Sequence, residues 1–221
     1  MIELPETLEL ETGARPAAAV IWLHGLGADG HDFEPVVPML GLPAGLAVRF
    51  VFPHAPVRPV TINMGMAMRA WYDIFQLGGG REDADGIRAS QLLLEALVAR
   101  EAGRGVAASK VVLAGFSQGG AIALQTGLRY GKRLAGILAL STYLPLAPTL
   151  ADERAVENFD LPIFMAHGRL DEMIPIGRAE NSRDKLKAMG YAVDWHAYPM
   201  GHAVCPEEIE AIGGWLGRVL A

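Results

Sequence analysis

The 221-residue chain has one cysteine, Cys205, so no disulfide can form within it and a reducing compartment is expected. It lacks the run of roughly 20 apolar residues that a membrane-crossing helix requires. Its basic residues are scattered and the formal net charge is -6, which argues against nucleic acid as a partner, because phosphate binding needs a concentrated basic patch. The opening Met1-Ile2-Glu3-Leu4-Pro5-Glu6 is acidic where a secretory signal is basic. Neither His-Glu-x-x-His nor a Cys/His cluster with metal spacing occurs, so no metal and no cofactor is expected. Linkers, repeats and low-complexity tracts are missing as well. These absences point to a soluble, cytoplasmic protein with no membrane insertion. At this length, with 51% hydrophobic residues, one domain over residues 1–221 is expected.

What is present is alternation. Short apolar runs at Ala17 to Leu23, Ala47 to Phe52, Lys110 to Gly115, Leu134 to Leu140, Ile163 to His167 and Val193 to Tyr198 read as buried strands. Between them lie helical patterns over Asp85 to Arg100, Gln118 to Tyr130, Gly177 to Met189 and Pro206 to Leu220. Strands alternating with helices predict an α/β fold with a mostly parallel central sheet and helices on both faces. Leu4 to Glu11 alternates in polarity and suits an edge strand or hairpin, whereas Ala55 to Gly80 fits neither period. Connections of that length are usually functional or disordered, and this one is too apolar for disorder.

Gly115-Phe116-Ser117-Gln118-Gly119 falls between a predicted strand and a predicted helix. A serine in such a sharp turn projects its hydroxyl from the sheet, beside a helix N-terminus that favours anions. A serine nucleophile needs a base and a carboxylate to orient it, and both belong in loops beyond the carboxyl ends of strands. Asp171 occupies the loop after Ile163 to His167, and His202 the loop after Val193 to Tyr198. Glu172 competes with Asp171, but the shorter and earlier carboxylate suits a tight loop better. His167, ending a strand, is expected to hydrogen-bond locally and shape the acid loop. An oxyanion needs two donors, and the backbone N–H of Gln118, next to the nucleophile, supplies one. The glycine-rich His24-Gly25-Leu26-Gly27-Ala28-Asp29-Gly30 follows a strand, and Leu26 is the second candidate. A phosphate loop is the competing reading, but the required lysine and spacing are missing. Met64, Met66, Met68, Trp71 and Phe75 form an apolar stripe that suits an acyl pocket, with a core segment or dimer contact as the plainer reading. Cys205 reads as a small apolar residue near a helix start.

Assembled, these residues closely resemble the acyl-protein thioesterase/carboxylesterase family of α/β-hydrolases, also called the phospholipase/carboxylesterase family. Further markers are Pro53 to Asn63, Ala70-Trp71-Tyr72-Asp73, Gly120 after the serine turn, His167-Gly168 and Gly201-His202. The resemblance runs over nearly the whole chain. It implies an α/β-hydrolase fold without a large cap domain and a Ser117–Asp171–His202 triad. It also implies Leu26 and Gln118 amides as the oxyanion hole and an acyl-site wall from Asn63 to Leu77. Family members hydrolyse short- to medium-chain carboxylic esters, some lysophospholipids and protein-linked palmitoyl thioesters, and homodimers occur. A non-catalytic ligand-binding protein on the same fold is the alternative from another class.

Overall fold

The computed structural model of the protein describes residues 3–76 and 80–221. Strand β1 (Thr7–Glu11) is followed by β2 (Ala18–Leu23), β3 (Val48–Pro53) and a hairpin of β4 (Val57–Val60) and β5 (Met66–Arg69). Helix α1 (Ala84–Gly103), β6 (Val111–Phe116), α2 (Gln118–Arg129) and β7 (Gly136–Leu140) come next. The short α3 (Leu150–Glu153) precedes β8 (Ile163–Gly168), α4 (Ile176–Ala188), β9 (Val193–Tyr198) and α5 (Pro206–Leu220). Seven strands form one sheet in the order β1-β3-β2-β6-β7-β8-β9. Only β1 runs antiparallel, pairing Thr7 with Pro53 and Glu11 with Arg49.

The period-2 geometry of a strand sorts β2 into both layers of the core. Ala19, Ile21 and Leu23 pack with Ile87, Leu94 and Leu97 of α1 and Ile122 and Leu128 of α2. Ala18, Val20 and Trp22 face the other way, onto Phe33, Val37 and the Ile209, Ile212 and Trp215 side of α5. A strand buried on both faces reads as a continuous apolar run, which is why β2 and β6 show no alternation in sequence. Helix starts carry their own signals. Asp83 accepts from the Gly86 N–H at the start of α1, and Pro206 and Glu207 open α5, where missing donors are tolerated and negative charge is favoured.

The observed strands and long helices lie within three residues of the expected bounds, and Leu4 to Glu11 contains an edge strand. The Ala55 to Gly80 stretch differs from its reading. It holds the β4–β5 hairpin, which pairs only with itself among the described residues. Pro59 within β4 and a turn closed by Met64 at φ 57° and Gly65 at φ 74° hide it from pattern recognition. Leu77, at the end of the expected wall, lies outside the described residues. Among the described residues no helix is long and apolar enough to cross a membrane.

Candidate active site

Ser117 sits between β6 and α2 with φ 55° and ψ -118°, a backbone conformation that costs on the order of 1–3 kcal/mol for a residue with a side chain. Its surroundings hold it there. The Ser117 N–H donates to Leu140 O at 2.8 Å, and its carbonyl accepts from Ala121 N–H at 3.1 Å and from the Thr142 hydroxyl at 2.6 Å. The turn closes because its flanks are bare: a Cβ on Gly119 would stand 2.4 Å from Leu23 O, and one on Gly115 would stand 2.3 Å from Gly119 O.

Asp171 follows β8 and is buried. Its Oδ1 accepts from the N–H groups of Met173 at 2.9 Å and Ile174 at 2.8 Å, which leaves Oδ2 for His202 Nδ1 at 2.7 Å. An ionised carboxylate only accepts, so Nδ1 carries the proton and donates. Nε2 is then bare and lies 2.9 Å from Ser117 Oγ, where it accepts from the hydroxyl. The acid and base loops are joined directly: Arg169 N–H donates to Tyr198 O at 2.8 Å and Leu170 N–H to Met200 O at 3.0 Å. A Cβ at Gly168 would come within 2.2 Å of Gly201 O, so only glycine lets these loops touch. His167, fully buried, donates from Nε2 to Ile174 O at 2.8 Å and stands 3.3 Å from Asp171 Oδ2. Burial holds its pKa below the usual histidine range, which keeps the ring neutral. Glu172 is exposed and makes no contact with His202 among the described residues. The structure thus brings Ser117, Asp171 and His202 together and leaves Glu172 out.

A cavity of about 590 Å³ opens over Ser117 and His202. Leu26 and Gln118 both line it. The Leu26 N–H donates to no group among the described residues, and the Gln118 N–H belongs to the first turn of α2, where intrahelical acceptors are missing. Of the expected wall residues, Met68 and Phe75 line the cavity, along with Ile62 and Asn63. Three do not. Met64 is 94% exposed and Met66 61% exposed, because the first closes the hairpin turn and the second only begins the returning strand. Trp71 is 1% exposed, packed beneath the cavity with its indole N–H donating to His24 O at 2.9 Å.

Tyr72, within the expected wall, also lines the cavity, as do Tyr143, Met173, Ile174 and Arg178, which were not anticipated. Tyr72 and Tyr143 share a 2.9 Å hydroxyl contact, and the Arg178 guanidinium lies 3.3 Å from the Tyr143 ring centre. Burial raises the Tyr72 phenol well above its ordinary pKa, so it stays protonated. Met173 and Ile174 had a readable signal, as they follow Asp171 directly. Tyr143 and Arg178 had none, because no motif marks the loop after β7 or the start of α4. Cys205 sits half-buried at the N-cap of α5, and burial pushes its thiol pKa up, away from thiolate chemistry. No group of three or more His, Cys, Asp or Glu side chains placed to hold a metal occurs among the described residues.

Residues 7–219 match the phospholipase/carboxylesterase family. Acyl-protein thioesterase 1 of Gibberella zeae is 39% identical, over 96% of this chain and 95% of that protein. Acyl-protein thioesterase 1 of Neurospora crassa is 43% identical, over 92% of this chain and 87% of that protein. The crystal structure of Zea mays acyl-protein thioesterase 2 superposes with a TM-score of 0.87 at 29% identity, covering 98% of this chain and 100% of that one. With a family match across nearly its whole length and relatives well above 30% identity, the chain belongs to the phospholipase/carboxylesterase family of α/β-hydrolases.

Proposed function

We propose that the protein is a serine hydrolase that cleaves short- to medium-chain carboxylic esters and thioesters through an acyl-enzyme, with residues 1–221 acting as one catalytic domain. The observation that carries this reading is the unbroken Asp171–His202–Ser117 chain of hydrogen bonds, at 2.7 and 2.9 Å, opening into a cavity with an apolar wall. Ser117 Oγ attacks the acyl carbonyl while His202 Nε2 takes its proton, and Asp171 stabilises the imidazolium. The N–H groups of Leu26 and Gln118 receive the oxyanion, and each donor contributes about 3 kcal/mol to the barrier reduction. His202 then protonates the departing alcohol or thiol. Water, deprotonated by the same ring, attacks the acyl-enzyme, and the ring returns that proton to Ser117 Oγ as the acid is released. Met68, Phe75, Ile62 and Ile74 hold the acyl chain by burial, at roughly 0.8 kcal/mol per CH₂.

The names of the relatives favour a second substrate class within the same chemistry, S-acylated proteins. Lysolipids are the further class that the family description admits. A cytoplasmic location is proposed on the single cysteine. The test is hydrolysis of p-nitrophenyl butyrate and octanoate, together with labelling by a fluorophosphonate. Ser117→Ala is expected to abolish both, and turnover that survives in this variant sinks the assignment. Relative kcat/KM on an S-palmitoyl peptide, a lysophospholipid and the simple esters then ranks the substrate classes.

A further inference from the structure

We propose that His24, clamped by Trp71, is the positioning residue of the oxyanion hole: its imidazole fixes the Gly25–Leu26 peptide so that the Leu26 N–H faces the cavity. This rests on the serine-hydrolase reading above and assigns a role to two buried residues that never touch the reacting atoms.

The argument begins with the proton on the ring. His24 is 2% exposed, so water cannot supply its partners. Ala55 N–H donates to Nε2 at 3.0 Å, which makes Nε2 the acceptor. The ring proton therefore sits on Nδ1, 2.7 Å from Gly25 O, and is donated there. Burial lowers the His24 pKa to about 4, so the ring is neutral at physiological pH and this single tautomer persists. Gly25 C=O and Leu26 N–H belong to one planar trans peptide and point in opposite directions. Gly25 O also accepts from Ala28 N–H at a longer 3.3 Å, so the His24 Nδ1–H at 2.7 Å is the shorter of the two bonds that hold the carbonyl and thereby aim the N–H the other way, and Leu26 lines the cavity beside Ser117.

The preceding peptide is held as well. The Trp71 indole N–H donates to His24 O at 2.9 Å, and the two rings lie 5.3 Å apart. Trp71 is in turn gripped by the residue that supplies the other oxyanion donor. Gln118 Oε1 accepts from Trp71 N–H at 2.7 Å and Gln118 Nε2 donates to Tyr72 O at 2.7 Å, while the Ser90 hydroxyl donates to Trp71 O. Both donors of the hole thus hang on one buried network, with Trp71 as the strut between them. The spacing of the two N–H groups is set before substrate arrives, which is the condition for electrostatic preorganisation.

The test uses Trp71→Phe, which keeps a ring and removes the N–H, and His24→Gln, which removes the imidazole. Losing one oxyanion donor lowers kcat by about 100- to 1,000-fold, so misaiming one should lower it by roughly 10- to 100-fold. KM for p-nitrophenyl butyrate is expected to stay within about threefold, since the hole acts on the transition state more than on the bound ester. Affinity for an alkylboronic acid, which forms a tetrahedral adduct at Ser117, is expected to fall by a similar factor, and the acid limb of the pH–rate profile to stay in place. A merely structural role would lower thermal stability and leave turnover per titrated site and boronate affinity unchanged, and that result overturns the proposal. Should both variants fail to fold, ¹⁵N NMR of the wild-type imidazole decides: a protonated Nδ1 and bare Nε2 at pH 7 are expected, and the opposite tautomer or an imidazolium overturns it. Hydrolysis that survives Ser117→Ala refutes the catalytic reading instead, independently of the strut.

Discussion

Glu208 offers the clearest test of the physical argument outside the active site. It lies in the first turn of α5, is fully buried, and neither carboxylate oxygen has a hydrogen-bond partner of good geometry among the described residues. Desolvation raises its pKa from 4.5 to about 8, and the Cys205 backbone offsets only part of that rise. The acid is therefore neutral in the folded protein at pH 7 but ionised in the unfolded chain. Below pH 4.5 both states hold the proton and the group carries no penalty. As pH rises from 4.5 toward 8 the unfolded state alone releases it, so this group's contribution destabilises progressively, and above about 8 the penalty is constant. At pH 7 the interval is about 2.5 pH units, and at 1.36 kcal/mol per unit the penalty is about 3 kcal/mol. Glu208→Gln replaces the neutral acid with a shape-matched amide that cannot ionise. It is expected to leave stability nearly unchanged at pH 4.5 and to raise it by about 3 kcal/mol at pH 7, roughly 6–12 °C in Tm for a chain of this size. Thermal unfolding of variant and wild type from pH 4.5 to 8.5 measures this. A gain that does not grow with pH refutes the reasoning.

Two further perturbations test the fold and the cavity. Glu101 is fully buried at the end of α1 and pairs with Arg49 at 2.8 Å, Arg100 at 3.0 Å and Arg104 at 3.0 Å, a cluster that also reaches Glu9 of the edge strand. Glu101→Ala removes one of the two close carboxylates of the mostly buried Arg49, which keeps Glu11 at 2.8 Å, and is expected to destabilise by about 1–3 kcal/mol in urea unfolding; a loss below about 0.5 kcal/mol would show that the arginines find other partners. Met64→Ser, at a 94% exposed position, is expected to leave kcat/KM on p-nitrophenyl octanoate within about twofold, whereas Phe75→Ala, which removes cavity wall, lowers it by about tenfold at about two CH₂ equivalents of lost contact. Equal effects from the two variants would contradict the cavity described above.

The strands buried on both faces were legible because their apolar runs are unbroken; Ser117 and Asp171 follow two of them, and His202 follows the more polar, half-exposed edge strand β9. The partnership of Asp171 with His202 was expected as well, but not the means, which is Gly168 letting two loops meet that bring together residues 31 positions apart. The methionines mark where local pattern misleads. Met66 and Met68 alternate because they lie on one strand of the ribbon, and Met64 sits in its turn, so the spacing of the three said nothing about which one reaches the cavity. Trp71 fails for a related reason. Its sequence neighbours place it beside the pocket, but its indole N–H needs an acceptor, and His24 O draws the ring inward.

The β4–β5 ribbon also separates two properties that are usually tied. It carries part of the cavity wall yet takes no place in the seven-stranded sheet, and Gly27 N–H to Arg69 O at 2.9 Å is one of the few bonds that fasten it. Residues in the ribbon and insertions at its Met64–Gly65 turn can therefore vary without shifting the register of any core strand. On the proposed reading of the cavity, selection can retune which acyl chains are admitted without touching Ser117, so substrate range in such a protein is free to drift faster than its chemistry.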